Sequence, residues 1–269
     1  MILSTVTLIL PGTTHAYAKA ARLAGADIET QYMVKETHHR TDGSWNVITD
    51  KGLIHAEHIV NDGGLWAREV GKMAGIYFPL HPMKHQHLVT DDIPMIVELV
   101  ENNEKHAHVV DPSRETYLRQ EGHGICIGFY EQPCRPWAID GTPWEFGPEL
   151  LPENFEKIED SIKFAYKRYP ELKVTGIKSV IHGPFTFAPD GNPLVDPVPG
   201  VQNYWAACGV MAGFSQGGGV GFSLAQWMIE GEPERSVMAI DVARFGDWIT
   251  SQYTLPKVVE NYQKRFSIT

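Results

Sequence analysis

The stretch that most constrains this chain runs from Pro189 to Gly231. Pro189-Asp190-Gly191 and Pro197-Val198-Pro199-Gly200 are turn signals. Asn203–Cys208 is apolar and aromatic, so it reads as a buried strand. Six glycines then fall from Gly209 to Gly221, and Phe222–Ile229 follows with helical spacing, closed by Gly231. A strand that enters a helix through glycines presents backbone N–H groups at the positive end of a helix dipole. A ligand can approach such backbone closely because no side chain intervenes. The residues are thus read as a cofactor cradle. The same spacing also describes a tight strand-to-helix turn whose glycines serve packing, and the residues leave both open.

Neither G-x-G-x-x-G nor G-x-x-x-x-G-K-[ST] occurs in the chain. Gly213-Phe214-Ser215-Gln216-Gly217 does match the G-x-S-x-G elbow of serine hydrolases. Asp241 or Asp247 could supply the acid, but no histidine follows His182, so the proton acceptor is missing in the order that class uses. The hydrolase reading is rejected on that ground.

The 269 residues suffice for one large domain or two interleaved ones. A net charge of −10 argues against nucleic acid or an anionic membrane as partner. Ile2–Leu10 is apolar but too short to span a bilayer, lacks the flanks of a signal peptide, and is expected to be a buried strand if it belongs to the fold. Cys126, Cys134 and Cys208 have no metal spacing and are odd in number, which suits a reducing compartment, cytoplasm or mitochondrial matrix.

Taken in order, the pattern predicts a helix at His15–Leu23, a strand at Ile28–Val34, a hairpin turn at Asp42-Gly43, and strands at Trp45–Thr49 and Ile54–Val60. Asn61-Asp62-Gly63-Gly64 then opens a helix at Leu65–Ala74, a second place where backbone can meet a ligand. From about residue 80 to 185 short strands dominate, at Gln86–Thr90, Thr116–Gln120, Ile125–Tyr130 and Val174–Ile181, with one amphipathic helix at Pro152–Arg168. The expected class is α/β (α+β): an α/β unit with a mainly antiparallel module inserted at 80–185. The tail from Ser236 reads as a covering helix or arm.

Several of these residues resemble a known family. Ile59-Val60-Asn61-Asp62-Gly63-Gly64-Leu65-Trp66-Ala67-Arg68-Glu69-Val70-Gly71, Tyr117-Leu118-Arg119, the Gly183-Pro184…Pro189-Asp190-Gly191…Pro193-Leu194 run and the Gly209–Gly221 segment are similar to the carboxyl-side half of the flavin domain in dimethylglycine and sarcosine dehydrogenases. Trp248-Ile249-Thr250…Gln252-Tyr253-Thr254 resembles the dimethylglycine branch. The resemblance implies a partial glutathione-reductase-like FAD-binding domain, residues 1–79 and 186–269, with the substrate domain at 80–185. It implies oxidation of the N-methyl C–H bond of a glycine derivative, with electrons passed to an electron-transfer flavoprotein. By position Val34 would contact the adenosine part of FAD. Gly64 and Trp66 would lie along the cofactor, and Gly209, Val210, Met211, Ala212, Gly213 and Phe214 would line the flavin. The family's glycine fingerprint, its FAD-bearing histidine and its folate region have no counterpart in these residues. Asp62-Gly63 stand where alanines are common, and His87 where a tyrosine is.

Among the catalytic candidates, His85 and His87 share one face of a strand and Lys84 the other. His85 also matches a family histidine. No metal is expected, since no carboxylate accompanies the histidines. Tyr117 and Arg119 share a second candidate face, and Arg119 could pair with a substrate carboxylate. Related oxidases carry a lysine that helps oxygen react. The matching strand, Ile125-Cys126-Ile127, has none, which points to a dehydrogenase unless Lys84 turns toward the flavin. The alternative from another class is a non-catalytic regulatory or scaffold protein of the same fold, like the regulatory subunit of pyruvate dehydrogenase phosphatase, or an inactive truncated fragment.

Overall fold

A computed structural model describes residues 10–246 and 248–267. It contains six α-helices and eleven strands in three sheets among the described residues. Helix α1 (Leu10–Leu23) precedes an antiparallel meander of β1 (Val34–His39), β2 (Trp45–Thr49) and β3 (Gly52–Ala56). Strand β4 (Ile59–Asn61) runs parallel to β11 (Tyr204–Cys208), which pairs antiparallel with β10 (Leu194–Pro197). Helix α2 (Ala67–Met73) follows β4, and α5 (Gly213–Glu230) follows β11.

The third sheet is antiparallel in the order β6-β7-β8-β5-β9. Its strands are β5 (His81–Thr90), β6 (Val109–Asp111), β7 (Thr116–Glu121), β8 (Gly124–Phe129) and β9 (Ile177–Phe187). Helices α3 (Pro94–Glu101) and α4 (Phe155–Arg168) cover one face, burying Ile96, Ile158 and Ala165 against Leu88, Leu118, Ile127 and Phe129. Asn154 caps α4 by accepting from the Lys157 N–H at 3.3 Å. The opposite face is aromatic. The tail helix α6 (Ser251–Gln263) seats Val258 and Tyr262 there, against Met83 and Phe187. The expectation of a covering helix in the tail holds.

Four sequence expectations are corrected. Ile28–Val34 is not a strand: β1 starts at Val34, where cross-strand partners on β2 begin. The apolar run Ile54–Val60 is two strands, because β3 pairs with β2 while β4 pairs with β11, and the chain must change sheets at Glu57-His58. The glycine-rich segment is not a loop beyond Ala212: α5 starts at Gly213, so Gly217, Gly218, Gly219 and Gly221 are helical. Helix α1 begins by Leu10, ahead of His15, and the expected strand at Ile2–Leu10 otherwise lies outside the described residues.

Asp196, on β10, is buried. Beside it Asp241 accepts from the Ala243 N–H at 2.5 Å. Burial, then the neighbouring Asp241, raise the carboxyl pKa of Asp196. A carboxyl that holds its proton more tightly folded than unfolded stabilises fully below the ordinary carboxylate range. That contribution is lost as pH rises through the raised value. Tm should therefore fall as pH climbs from the ordinary carboxylate range, and Asp196→Asn should flatten that slope. Thermal melts of both proteins across pH test this, and an unchanged slope would refute it.

Candidate active site

Two glycine-bearing turns lie side by side at the carboxyl ends of the parallel pair β4 and β11. Gly64 (φ +53°) opens the turn before α2, and Gly209 (φ +64°) opens the one before α5. Both occupy the left-handed region that side chains rarely adopt. The parallel register Tyr204↔Ile59, Trp205↔Val60, Ala206↔Asn61 brings them together. Asn61 holds the first turn, accepting from the Gly63 N–H at 3.0 Å and donating to Ala67 O at 2.9 Å. Trp66 donates its indole N–H to Pro143 O at 2.9 Å, so its ring edge is fixed against the 138–143 segment.

No atom stands within 4 Å of where a Cβ would sit at Gly64, Gly213, Gly217, Gly219 or Gly221. At Gly209 and Gly218, by contrast, a Cβ would meet Leu80 Cδ2 at 3.0 Å and the Tyr17 phenol oxygen at 3.2 Å, so both uses of glycine occur in the segment. Val210 and Met211 are half-buried, and Phe214 is exposed. Ala212 precedes the first turn of α5, where Ser215 Oγ donates to Ala212 O at 2.9 Å. That serine serves the helix start. Val34 is half-buried at the beginning of β1. The fit of FAD to this backbone thus rests on the two left-handed glycines and the open glycine face of α5.

Met211 links the second turn to the aromatic face of the large sheet, packing against the cluster of Met83, Phe187, Val258 and Tyr262. On that face the structure brings His85 and Tyr117 together: His85 Nε2 lies 3.1 Å from the Tyr117 phenol oxygen, and the rings stack with centroids 6.0 Å apart. His85 Nδ1 lies 3.0 Å from the Tyr262 phenol oxygen, and Tyr262 donates to Glu131 at 2.6 Å. Tyr117 stands on β7 directly opposite Gly128 on β8. A Cβ at Gly128 would fall inside the Tyr117 ring, so that glycine is what lets the phenol lie over the sheet.

Burial first, then His87 and His182, push the His85 pKa down to about 3, so its imidazole is neutral near pH 7. Burial raises the Tyr117 phenol above its ordinary value. Arg119, half-exposed and ion-paired to Glu121 two residues on, is not hydrogen-bonded to this pair, though its charge acts on Tyr117. Lys84 turns to the other face, as strand alternation requires, and lines a cavity of about 210 Å³ with Gln86, Glu131, Arg135, Lys157 and His182.

Sequence reasoning missed Tyr262 and Glu131. Neither stands in a motif, and they lie 131 residues apart in sequence. The one available signal was the tail's expected role as a cover. Among the described residues no group of histidine, cysteine and carboxylate side chains could hold a metal ion.

Residues 10–227 match the model of the family described as FAD dependent oxidoreductase. The chain belongs to this family. Its cofactor is FAD. Dimethylglycine dehydrogenase, mitochondrial, of Homo sapiens is 40% identical over 255 residues, covering 93% of this chain and 29% of the relative. Sarcosine dehydrogenase, mitochondrial, of the same species is 33% identical over 265 residues, covering 96% and 28%. The pyruvate dehydrogenase phosphatase regulatory subunit of Mus musculus is 32% identical over 234 residues, covering 86% and 26%. The chain thus spans less than a third of the length of these relatives. L-proline dehydrogenase from P. horikoshii superposes with a TM-score of 0.70 at 27% identity, over 87% of this chain and 59% of that one. The architecture is that of the FAD-dependent oxidoreductase fold. No helix among the described residues is long and apolar enough to cross a membrane.

Proposed function

We propose that this chain is a segment, the carboxyl-side part of the FAD domain, of an amine dehydrogenase that oxidises the N-methyl C–H bond of a glycine derivative such as dimethylglycine or sarcosine. The observation that carries the proposal is the pair of glycine turns at the ends of β4 and β11, joined through Met211 to a face where a neutral histidine and a tyrosine share a hydrogen bond. Bound FAD would supply the two-electron acceptor.

The chain's own residues orient the amine and manage its proton. The amine must be neutral to react. Tyr117, kept protonated by burial, can take a proton on its oxygen only while giving its own to His85 Nε2. Arg119 would leave Glu121 to bind the substrate carboxylate. Val34 would meet the adenosine end of FAD, and Trp66 its flank. Residues 80–185 would form the substrate domain and the remainder the FAD domain.

Electrons would pass to an electron-transfer flavoprotein. Two facts support a dehydrogenase over an oxidase. The Ile125–Ile127 strand has no lysine, and Lys84 points away from the His85 face. The compartment would be the mitochondrial matrix or cytoplasm, consistent with three free, buried cysteines.

The test is spectroscopic. The purified protein, with FAD added, should show the visible flavin band and bleach anaerobically with dimethylglycine or sarcosine. A protein that refuses FAD would overturn the reading and leave the non-catalytic alternative, which the regulatory-subunit relative supports.

Gly213→Val separates the two uses of glycine. The open space at Gly213 means the fold should tolerate it, with a Tm near that of the parent. FAD affinity, followed by flavin fluorescence quenching, should be lost because the side chain occupies the cofactor's approach. Full affinity in a folded variant would show that Gly213 does not face FAD.

A further inference from the structure

Four side chains cross from the aromatic face of the large sheet to the cavity beside Lys84, and their hydrogens can be assigned one by one. Tyr262 donates to Glu131 Oε2 at 2.6 Å. A phenol has a single hydrogen, so the Tyr262 oxygen must accept from His85, and His85 Nδ1, 3.0 Å away, carries the hydrogen. A neutral imidazole has one N–H, so Nε2 is an acceptor. The Tyr117 hydroxyl, 3.1 Å from it, is therefore the donor. Every hydrogen points the same way, from Tyr117 toward Glu131.

We propose that Tyr117, His85, Tyr262 and Glu131 form a one-way proton relay that carries the substrate ammonium proton from the amine site to the cavity lined by Glu131, Lys84, Arg135 and Lys157. The relay deepens the amine-dehydrogenase reading and rests on it.

The step balances. An N–H bond of the ammonium breaks as an O–H bond forms at Tyr117. Tyr117 gives its proton to Nε2, Nδ1 gives its proton to Tyr262, and Tyr262 gives its own to Glu131. One proton enters and one is stored. The substrate becomes a neutral amine, Glu131 a neutral acid, and the three middle groups keep their charge. Burial raises the Glu131 carboxyl above its ordinary value, which suits a terminal acceptor, while the Tyr262 hydrogen bond and then Lys157 work in the opposite direction. Tyr262 is fully buried and Glu131 nearly so, while Tyr117 and His85 are partly exposed, so it is the Glu131 half of the relay that is shielded from bulk water. The charged or titratable groups that bear on the relay are His87, His182, Arg119, Cys126, Tyr130, Cys134 and Lys157.

Nitrogen-15 NMR of the purified protein, with His85 assigned through His85→Gln, should show the Nδ1–H tautomer at neutral pH. An Nε2–H tautomer or a charged ring would overturn the relay while leaving the amine reading intact. Glu131→Gln keeps an acceptor for Tyr262 but removes the proton store. With FAD and substrate it should lower kcat about 100-fold at unchanged KM, in the range of general acid–base contributions, without altering the tautomer. Tyr262→Phe should lower kcat similarly and also disturb the His85 signal. Rates within about threefold of the parent in both variants would overturn the relay. A protein that shows the Nδ1–H tautomer but bleaches with no N-methyl amine would overturn the amine reading, and the relay's task with it.

Discussion

Arg68→Ala is expected to destabilise the protein by about 3–5 kcal/mol, the cost of stranding one partner of a buried ion pair. Arg68 and Glu69 are both buried on α2, 2.9 Å apart. The guanidinium also donates to Ile139 O at 3.1 Å and Ala138 O at 2.9 Å. Glu69 Oε1 accepts the Thr142 N–H at 3.2 Å, while Oε2 has no partner. Without Arg68 the carboxylate keeps only that one amide bond in a dry site. The 138–143 segment, which also holds Trp66, would lose two of its anchors to the glycine turn. Urea unfolding measures the loss, and limited proteolysis should place the first new cleavage in 138–143. Arg68→Met with Glu69→Leu removes both charges and should recover most of the stability. A single Arg68→Ala that costs under about 1 kcal/mol, the range of an exposed pair, would show that the clasp is solvated.

Gly128→Val should cost about 3 kcal/mol or more, at the upper end for overpacking, because the new side chain occupies the place of the Tyr117 ring. The ring would be forced from His85, and near-ultraviolet circular dichroism should report its movement. Two controls define the cause. Tyr117→Phe keeps the ring and loses only the hydroxyl bond, an expected loss of about 1 kcal/mol. In a Tyr117→Ala background the Gly128→Val cost should largely vanish, giving a coupling of about 3 kcal/mol, the top of the range for residues in contact. Additive losses would mean that Gly128 is required by the backbone and not by Tyr117.

The sequence disclosed the parts with strong local chemistry. Turn residues marked Asp42-Gly43 and Gly231, and both glycine turns stood out because few other residues can take their backbone angles. Strand alternation correctly separated His85 from Lys84. It failed where local preference was outvoted. Glycines disfavour a helix interior by about 1 kcal/mol each, so Gly213–Gly221 reads as a loop, yet the segment continues as α5. There Leu224 packs beneath β10 and β11, with Val220 and Trp227 against the same cluster. Ile54–Val60 looks like one strand because apolarity says that residues are buried, not which sheet buries them.

What the residues alone determined is a strand, a glycine turn and a helix, twice over, because conformational freedom and apolar runs are properties of short segments; the flavin family followed from the resemblance of those motifs. Only the folded chain could decide the site's wiring. Hydrogen bonds from Tyr117 through His85 and Tyr262 to Glu131 join a hairpin, a central strand and the tail helix, and no local rule relates residues so far apart in sequence. Their direction follows from counting one hydrogen per phenol and one per neutral imidazole, a sum that needs three-dimensional neighbours before it can be done.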